Sequence, residues 1–175
     1  SYEEMLEMSS LGAKVMQPAS IQDAKLNKVK IYVKSSFTNK PGTQIIGRKK
    51  IKDINIIRGV SFTKNDTKIS LLGVKDKPGV AAAIFEPLYI NSINVDMVVQ
   101  NISSDGKETD LTFTIKSDDL LKTKKLISKN KKISFKKLIV DKNVAKVSIV
   151  GVGMITTPGV TYRMFRALAN KRINI

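Results

Sequence analysis

The chain contains no cysteine, no histidine and no tryptophan. Without cysteine there is no disulfide scaffold, no thiolate metal site and no thiol nucleophile. Without histidine, a Ser-His-Asp triad and the usual zinc sites are excluded within these 175 residues. Aromatic residues make up only 6% and proline occurs 5 times. No apolar run approaches the length that spans a bilayer, and no signal-peptide pattern opens the chain. A soluble, cytoplasmic protein is the default expectation.

What is present is a composition able to form a core, with a large excess of positive charge. Hydrophobic residues make up 42%, enough for one ordinary domain or two small ones. Lysine and arginine number 31 against 15 acidic residues, a formal net charge of +16. Such a balance suggests a polyanionic partner. Arginine, however, appears only at positions 48, 58, 163, 166 and 172. Its planar fork is what bidentate phosphate and guanine recognition favours. The chain is also rich in Ile and Asn, as an AT-biased genome writes. The lysines therefore read as a solvated surface rather than a nucleic-acid face.

An internal repeat organises the chain. From Lys68 it reads KISLLGVKDKPGVAAAIFEPLYINSINV, and from Lys146 it reads KVSIVGVGMITTPGVTYRMFRALANKRINI. Gly73 and Val74 align with Gly151 and Val152, and Pro78, Gly79 and Val80 with Pro158, Gly159 and Val160. Phe85 aligns with Phe165, Leu88 with Leu168 and Asn94 with Asn174; the second loop is two residues longer. Agreement at this many ordered positions marks a duplicated unit.

Each copy begins as a short β-branched strand ending at a glycine. Pro78 and Pro158 suit a first helical position, where the missing N–H costs little. Val80, Ile84, Phe85 and Leu88 then share a helical face, as do Val160, Met164, Phe165 and Leu168, and this stripe reads as packing. Pro87 should kink or shorten the first helix. Beyond it, NVDMVVQNIS alternates, with Val95, Met97 and Val99 on one side and Asp96, Val98 and Gln100 on the other. Ser103 to Lys107 carry an Asp-Gly hairpin signal. TDLTFTIK alternates again, placing Leu111, Phe113 and Ile115 together. Ser117 and Asp118 are plausible caps of a second helix with Leu120, Leu121 and Ile127 on its apolar side, and SFKKLIV is a last strand. The order β-α-β-β-α-β predicts an α+β, ferredoxin-like sandwich.

The second copy stops at Ile175, at the start of its own second strand. It reads as an incomplete unit, which would leave a sheet edge and an apolar face uncovered, and the chain as part of a longer protein. Residues 1–50 form a different segment. SYEEMLEMSSLG has helical character, SIQDAKLNK reads as a helix capped by Ser20, Val29 to Ser36 as a strand, and NKPGTQI as a turn through Pro41 and Gly42.

Taken together, SYEEMLEMSSLGAKVMQP, VKSSFTNKPGTQI, the LGVKDKPGV–INVDMVVQN block and VSIVGVGMITTPGV–INI resemble the aspartate kinase (aspartokinase) family. They follow that family's order over essentially the whole chain. The family makes aspartyl phosphate from aspartate and ATP, the first step toward lysine, threonine and methionine. The resemblance implies the C-terminal remnant of an α/β amino-acid-kinase domain and linker over 1–50. It further implies tandem ACT regulatory domains over 51–142 and, truncated, over 143–175. Most nucleotide- and aspartate-binding residues of the family lie upstream of these segments, so this stretch alone should not catalyse the reaction. Lys14 stands where the family has an ATP-contacting lysine, a point charge suited to phosphate; ATP itself is a ligand of the parent enzyme. No metal site is implied.

The resemblance also implies an effector site at contacts between ACT domains, where the family binds lysine, threonine or both, and a homodimer formed through those domains. Its contact positions fall on Asp76, Lys77, Pro78, Gly79, Val80, Ala81, Asn94, Val95, Asp96 and Gln100. In the second repeat they fall on Val160, Thr161, Asn174 and Ile175. The chemistry suits an amino acid, because freed N–H groups around Gly79 to Ala81 can meet its carboxylate. Asp76 can pair with its ammonium, and Asn94 and Gln100 can bond either group. Asp76 as a mere helix cap and Asn94 as a mere turn residue are the plainer readings of the same residues. Met154, Ile155 and Thr156 replace the acidic lead-in of the first loop, so the two loops cannot bind the same ligand in the same way.

Two other classes compete. An RNA-binding RRM shares the β-α-β-β-α-β order, but it stacks bases on aromatics of its central strands. Here those strands offer only Phe113, which falls in the buried set; the lysine-rich run from Lys122 to Lys137 could attract RNA only non-specifically. The chain could also be a stand-alone regulatory subunit, against which the kinase-like start argues.

Overall fold

The computed structural model describes residues 1–50, 55–102 and 107–175. The Asp-Gly turn expected at 103–107 falls almost wholly outside them. The described chain divides into two compact units, one of residues 64–146 and one of 1–63 with 147–175.

The first repeat builds the unit of 64–146. Its strands are β4 (Asp66–Lys75), β5 (Val95–Ile102), β6 (Glu108–Lys116) and β7 (Lys137–Asp141), in the sheet order β5-β6-β4-β7. Every neighbouring pair is antiparallel. Helices α3 (Val80–Ile90) and α4 (Leu120–Lys129) complete the ferredoxin-like βαββαβ order. Alternation places Ile69 and Leu71 of β4 with Leu111, Phe113 and Ile115 of β6 on the buried face. Val80, Ile84 and Leu88 of α3 and Leu120 and Ile127 of α4 close over them. Leu121 points to solvent at 81% exposure, and the helix instead buries Thr123 and half-buries Leu126. Ser117 and Asp118 form a 3-10 turn ahead of α4 rather than its cap.

Both repeat helices start two residues later than their prolines suggest. Pro78 and Pro158 lie outside the helices, and the N-caps are Gly79 and Gly159, each left-handed at φ 87°. A side-chain-free residue reverses the chain there, and Val80 and Val160 are the first helical residues, both buried. The ends match too. Ser92 and Arg172 both sit at φ 56°, with the next N–H reaching back to Leu88 and Leu168 respectively at 2.9 and 3.0 Å. This is a Schellman closure in which a residue with a Cβ occupies a place that favours glycine. Ser92→Gly is therefore expected to raise stability by about 0.5–1 kcal/mol in urea denaturation.

Pro87 neither shortens α3 nor breaks it: the helix has 11 residues, as does α5 (Val160–Asn170). A proline at this place leaves the carbonyl four residues earlier without its intrahelical donor. That carbonyl belongs to Ala83, and the Asn130 side-chain amide donates to it at 2.7 Å. The expected alternation of β5 is also interrupted. A register shift between Asp96 and Val99, with Met97 at φ 47°, marks a bulge. Met97, Val98, Val99 and Ile102 all end up exposed along this edge strand.

In the other unit α1 (Tyr2–Ser10) starts with a capping box between Ser1 and Glu4. Pro18, not a cap at Ser20, opens α2 (Pro18–Leu26). The strand expected over 29–36 contracts to β1 (Ile31–Val33), which pairs antiparallel with β2 (Thr43–Ile45) beyond the Pro41-Gly42 turn. Tyr2, Ile21 and Ile45 form the small core of this region, and the Tyr2 hydroxyl donates to the Val29 carbonyl at 2.6 Å. β3 (Gly59–Thr63), expected within the first ACT domain, pairs instead with β8 (Lys146–Val150) in a separate two-stranded sheet. The first repeat is thus inserted in sequence between two paired strands. α5 follows β8 through a 3-10 turn; it buries Val160, half-buries Met164 and Leu168, and leaves Phe165 43% exposed.

Candidate functional site

The Pro-Gly loop of the first repeat is open. Asp76, Lys77, Pro78 and Gly79 are exposed, Val80 is buried and Ala81 is half-buried. The Asp76 N–H donates to the Lys107 carbonyl at 3.1 Å, which ties the loop to the start of β6. The Val80 N–H turns back to the Lys77 carbonyl at 3.2 Å and the Ala83 N–H to Gly79 at 2.9 Å. The donors a helix start leaves free are then those of Gly79, Ala81 and Ala82. A Cβ placed on Gly79 or Gly159 would meet nothing within 4 Å, so each helix start faces open space. Three amide donors at the positive end of a helix can hold a carboxylate.

The structure divides the remaining candidates of this repeat between two ends of one sheet. Asp96 lies opposite Thr114, which lies opposite Lys68, whereas Lys75, next to Asp76, lies opposite Glu108. That is roughly 20 Å along the strands at 3.3 Å per residue. Asn94 and Val95 belong with Asp96; Gln100, opposite Leu111, lies nearer the Pro-Gly loop. A single copy of the unit does not bring Asp76 and Asp96 together.

Asp96 is already engaged. Its Oδ2 accepts from the Lys146 ammonium, its Oδ1 from the Met97 N–H at 2.8 Å. The lysine contact, helped by the Met97 N–H and opposed by partial burial, holds the Asp96 carboxyl below the usual carboxylate range. A depressed folded-state value adds stability that is present above the unfolded value and lost as pH falls through the folded one. Because the carboxylate is largely exposed, Asp96→Asn is expected to cost only about 0.5–1 kcal/mol at pH 7. The two proteins should converge as pH falls through the depressed folded-state value of Asp96, where the carboxyl becomes protonated in both states of the parent; thermal unfolding of both proteins along a falling pH series checks this. Lys146 is a site contact that local sequence pattern does not announce. Its signal was the lysine that opens both copies, KISLLGV and KVSIVGV.

In the second repeat Val160 and Thr161 line an open cavity of about 750 Å³. Val147, Ile149, Met154, Thr156, Thr157, Pro158, Gly159 and Met164 complete it. Val147, Ile149, Val160 and Met164 are the counterparts of Ile69, Leu71, Val80 and Ile84, which are core residues of the first repeat. The cavity therefore follows the seam between strand and helix, lined by apolar side chains and threonines. Among the described residues of its lining none is charged, unlike the first loop with its Asp76. Asn174 and Ile175 are exposed beyond α5 and are not among its lining. Lys14 is exposed in the turn between α1 and α2.

Residues 69–130 and 147–175 match the ACT domain family. The whole chain is 44% identical to the aspartokinase of Helicobacter pylori, of which it spans 44% of the length. It is similar in structure to the regulatory subunit of aspartate kinase from Thermus thermophilus, with 34% identity and a TM-score of 0.64 over 69% of this chain and 80% of that one. Aspartate kinase from Synechocystis aligns with 97% of this chain and 31% of its own, with 30% identity and a TM-score of 0.62. The duplicated strand–loop–helix unit, the twin left-handed helix starts and these relationships agree: the chain belongs to the aspartokinase family and carries its ACT-domain regulatory region.

Proposed function

We propose that this chain is the amino-acid-sensing part of an aspartate kinase, binding lysine, threonine or both and lowering the activity of the attached kinase. The observation that carries the reading is the exposed helix start at Gly79, with its free N–H groups beside Asp76. An α-amino acid presents a carboxylate and an ammonium a few ångströms apart, and this loop offers amide donors next to an acid. The whole enzyme would use ATP and aspartate in the cytoplasm, with Lys14 contributing to the nucleotide side. Among the described residues no helix is long and apolar enough to cross a membrane.

A homodimer through the ACT units supplies what one copy lacks. Two copies of edge strand β5, paired antiparallel about a two-fold axis, set the Asp96 end of one sheet near the Gln100 and Pro-Gly end of the other. The exposed Met97, Val98, Val99 and Ile102 give that edge apolar surface to bury. The effector would bind this paired arrangement better than the alternative and shift the kinase toward its inactive state. A reversal from 1:99 to 99:1 needs about 5.5 kcal/mol of differential affinity. RNA binding on the sheet is disfavoured, because Phe113, the central-strand aromatic, is fully buried. Titration calorimetry of the intact dimer with lysine, threonine and their mixture tests the reading, alongside aspartate-dependent phosphoryl transfer. Heat of binding together with loss of activity is the expected result; no response to any of the three removes the effector assignment.

A further inference from the structure

We infer that Lys146 sets effector selectivity: by occupying Asp96 it reserves the site for α-amino acids with an uncharged side chain and rejects those carrying a second ammonium. The inference rests on the effector reading above and names the ligand class of that same site.

The carboxylates among the candidate positions are Asp76 and Asp96. Asp96 has a donor on each oxygen, Met97 N–H on one and the Lys146 ammonium on the other. The lysine side chain is only 13% exposed, while that of Asp96 is 60% exposed. An incoming ammonium can reach Asp96, but only by displacing Lys146. Lys146 would then be left as a mostly buried cation without its counter-charge, which is costly. No ion pair involves Asp76 among the described residues. One free carboxylate matches one ammonium, the α-ammonium common to every amino acid. A second ammonium at the end of the side chain finds Asp96 already held by Lys146.

Lys146→Met tests the claim, since methionine keeps the unbranched buried stem and removes only the charge. Calorimetric titrations of the intact protein would use threonine, lysine and norleucine, the last having lysine's chain length without its ε-ammonium. In the wild type, threonine and norleucine are expected to bind at least 10-fold more tightly than lysine. In Lys146→Met, Asp96 is released and the lysine-to-threonine affinity ratio should rise at least 5-fold. A wild type that binds lysine as tightly as norleucine overturns the inference without any variant. So does a Lys146→Met protein, folded by its cooperative thermal transition, whose ratio is unchanged. A wild type that binds none of the three ends the effector reading itself, and the selectivity claim with it, a result distinct from either of the others.

Discussion

Phe113→Ala is expected to cost about 3–5 kcal/mol in urea denaturation, a large share of the 5–15 kcal/mol that stabilises an ordinary domain. Phe113 is fully buried in the centre of the 64–146 unit, on β6 between two neighbouring strands. Its ring meets Phe85 of α3 edge to face, with centroids 5.3 Å apart and planes at 80°. The loss combines transfer of a whole ring with a cavity that paired strands cannot collapse into. Phe85 is only half-buried, so Phe85→Ala should cost less. A double-mutant cycle between the two should leave about 0.5–1.5 kcal/mol of coupling for the ring contact. Phe37, 95% exposed, is the control: its alanine variant should stay within about 0.5 kcal/mol of the parent. If Phe113→Ala fell in that same range, the assignment of β6 to the core would be wrong.

What could be read beforehand and what could not separate along one physical line. Alternation in TDLTFTIK and the i, i+4 stripe from Val80 to Leu88 are local patterns, and both faces came out as the pattern implied. The repeat was legible for the same reason, since it compares residues with residues. Features that failed depend on partners distant in sequence. Nothing near Pro87 announces that Asn130, 47 residues beyond Ala83, will supply the donor that keeps α3 intact. Nothing in NVDMVVQNIS announces a bulge at Met97, which exposes residues that strict alternation would bury. The pairing of β3 with β8 encloses the entire first repeat, so no window of local sequence contains it. At the candidate site the Gly79 turn was visible as a Pro-Gly pair, although its helix starts later than a proline at the first position would place it. The Asp96–Lys146 contact spans 50 residues and was invisible, and it changes what the acid can do.

The aligned glycines Gly73 and Gly151 are expected to respond very differently to alanine, although they occupy the same place in the repeat. Gly73 sits at φ +65°, inside a bulge of β4, with its N–H donating to the Asp110 carboxylate at 2.9 Å. A Cβ there would press on the side chain of Lys136, which can swing away, so the cost is mainly conformational, about 1–2 kcal/mol. Gly151 has φ 169°, ordinary extended backbone that any residue adopts. Its constraint is steric. A Cβ would meet the Ile56 carbonyl oxygen at 2.1 Å and the Ile57 Cα at 2.9 Å, and Gly153 is held as tightly, with the Ile56 Cα at 2.7 Å from its own Cβ position. Backbone cannot rotate aside as a side chain does. The Arg58 N–H, donating to the Val150 carbonyl at 2.7 Å, pins the same segment from the other side. Gly151→Ala must therefore push residues 56–58 off the end of β8, at about 3 kcal/mol or more. Amide exchange distinguishes this from general loosening. Exchange at Arg58 should accelerate at least 10-fold while the Phe113 amide, in the other unit, stays protected. Equal acceleration at both would mean that the two units unfold as one, and unchanged exchange at Arg58 would mean that the close approach at Gly151 does not hold that segment in place.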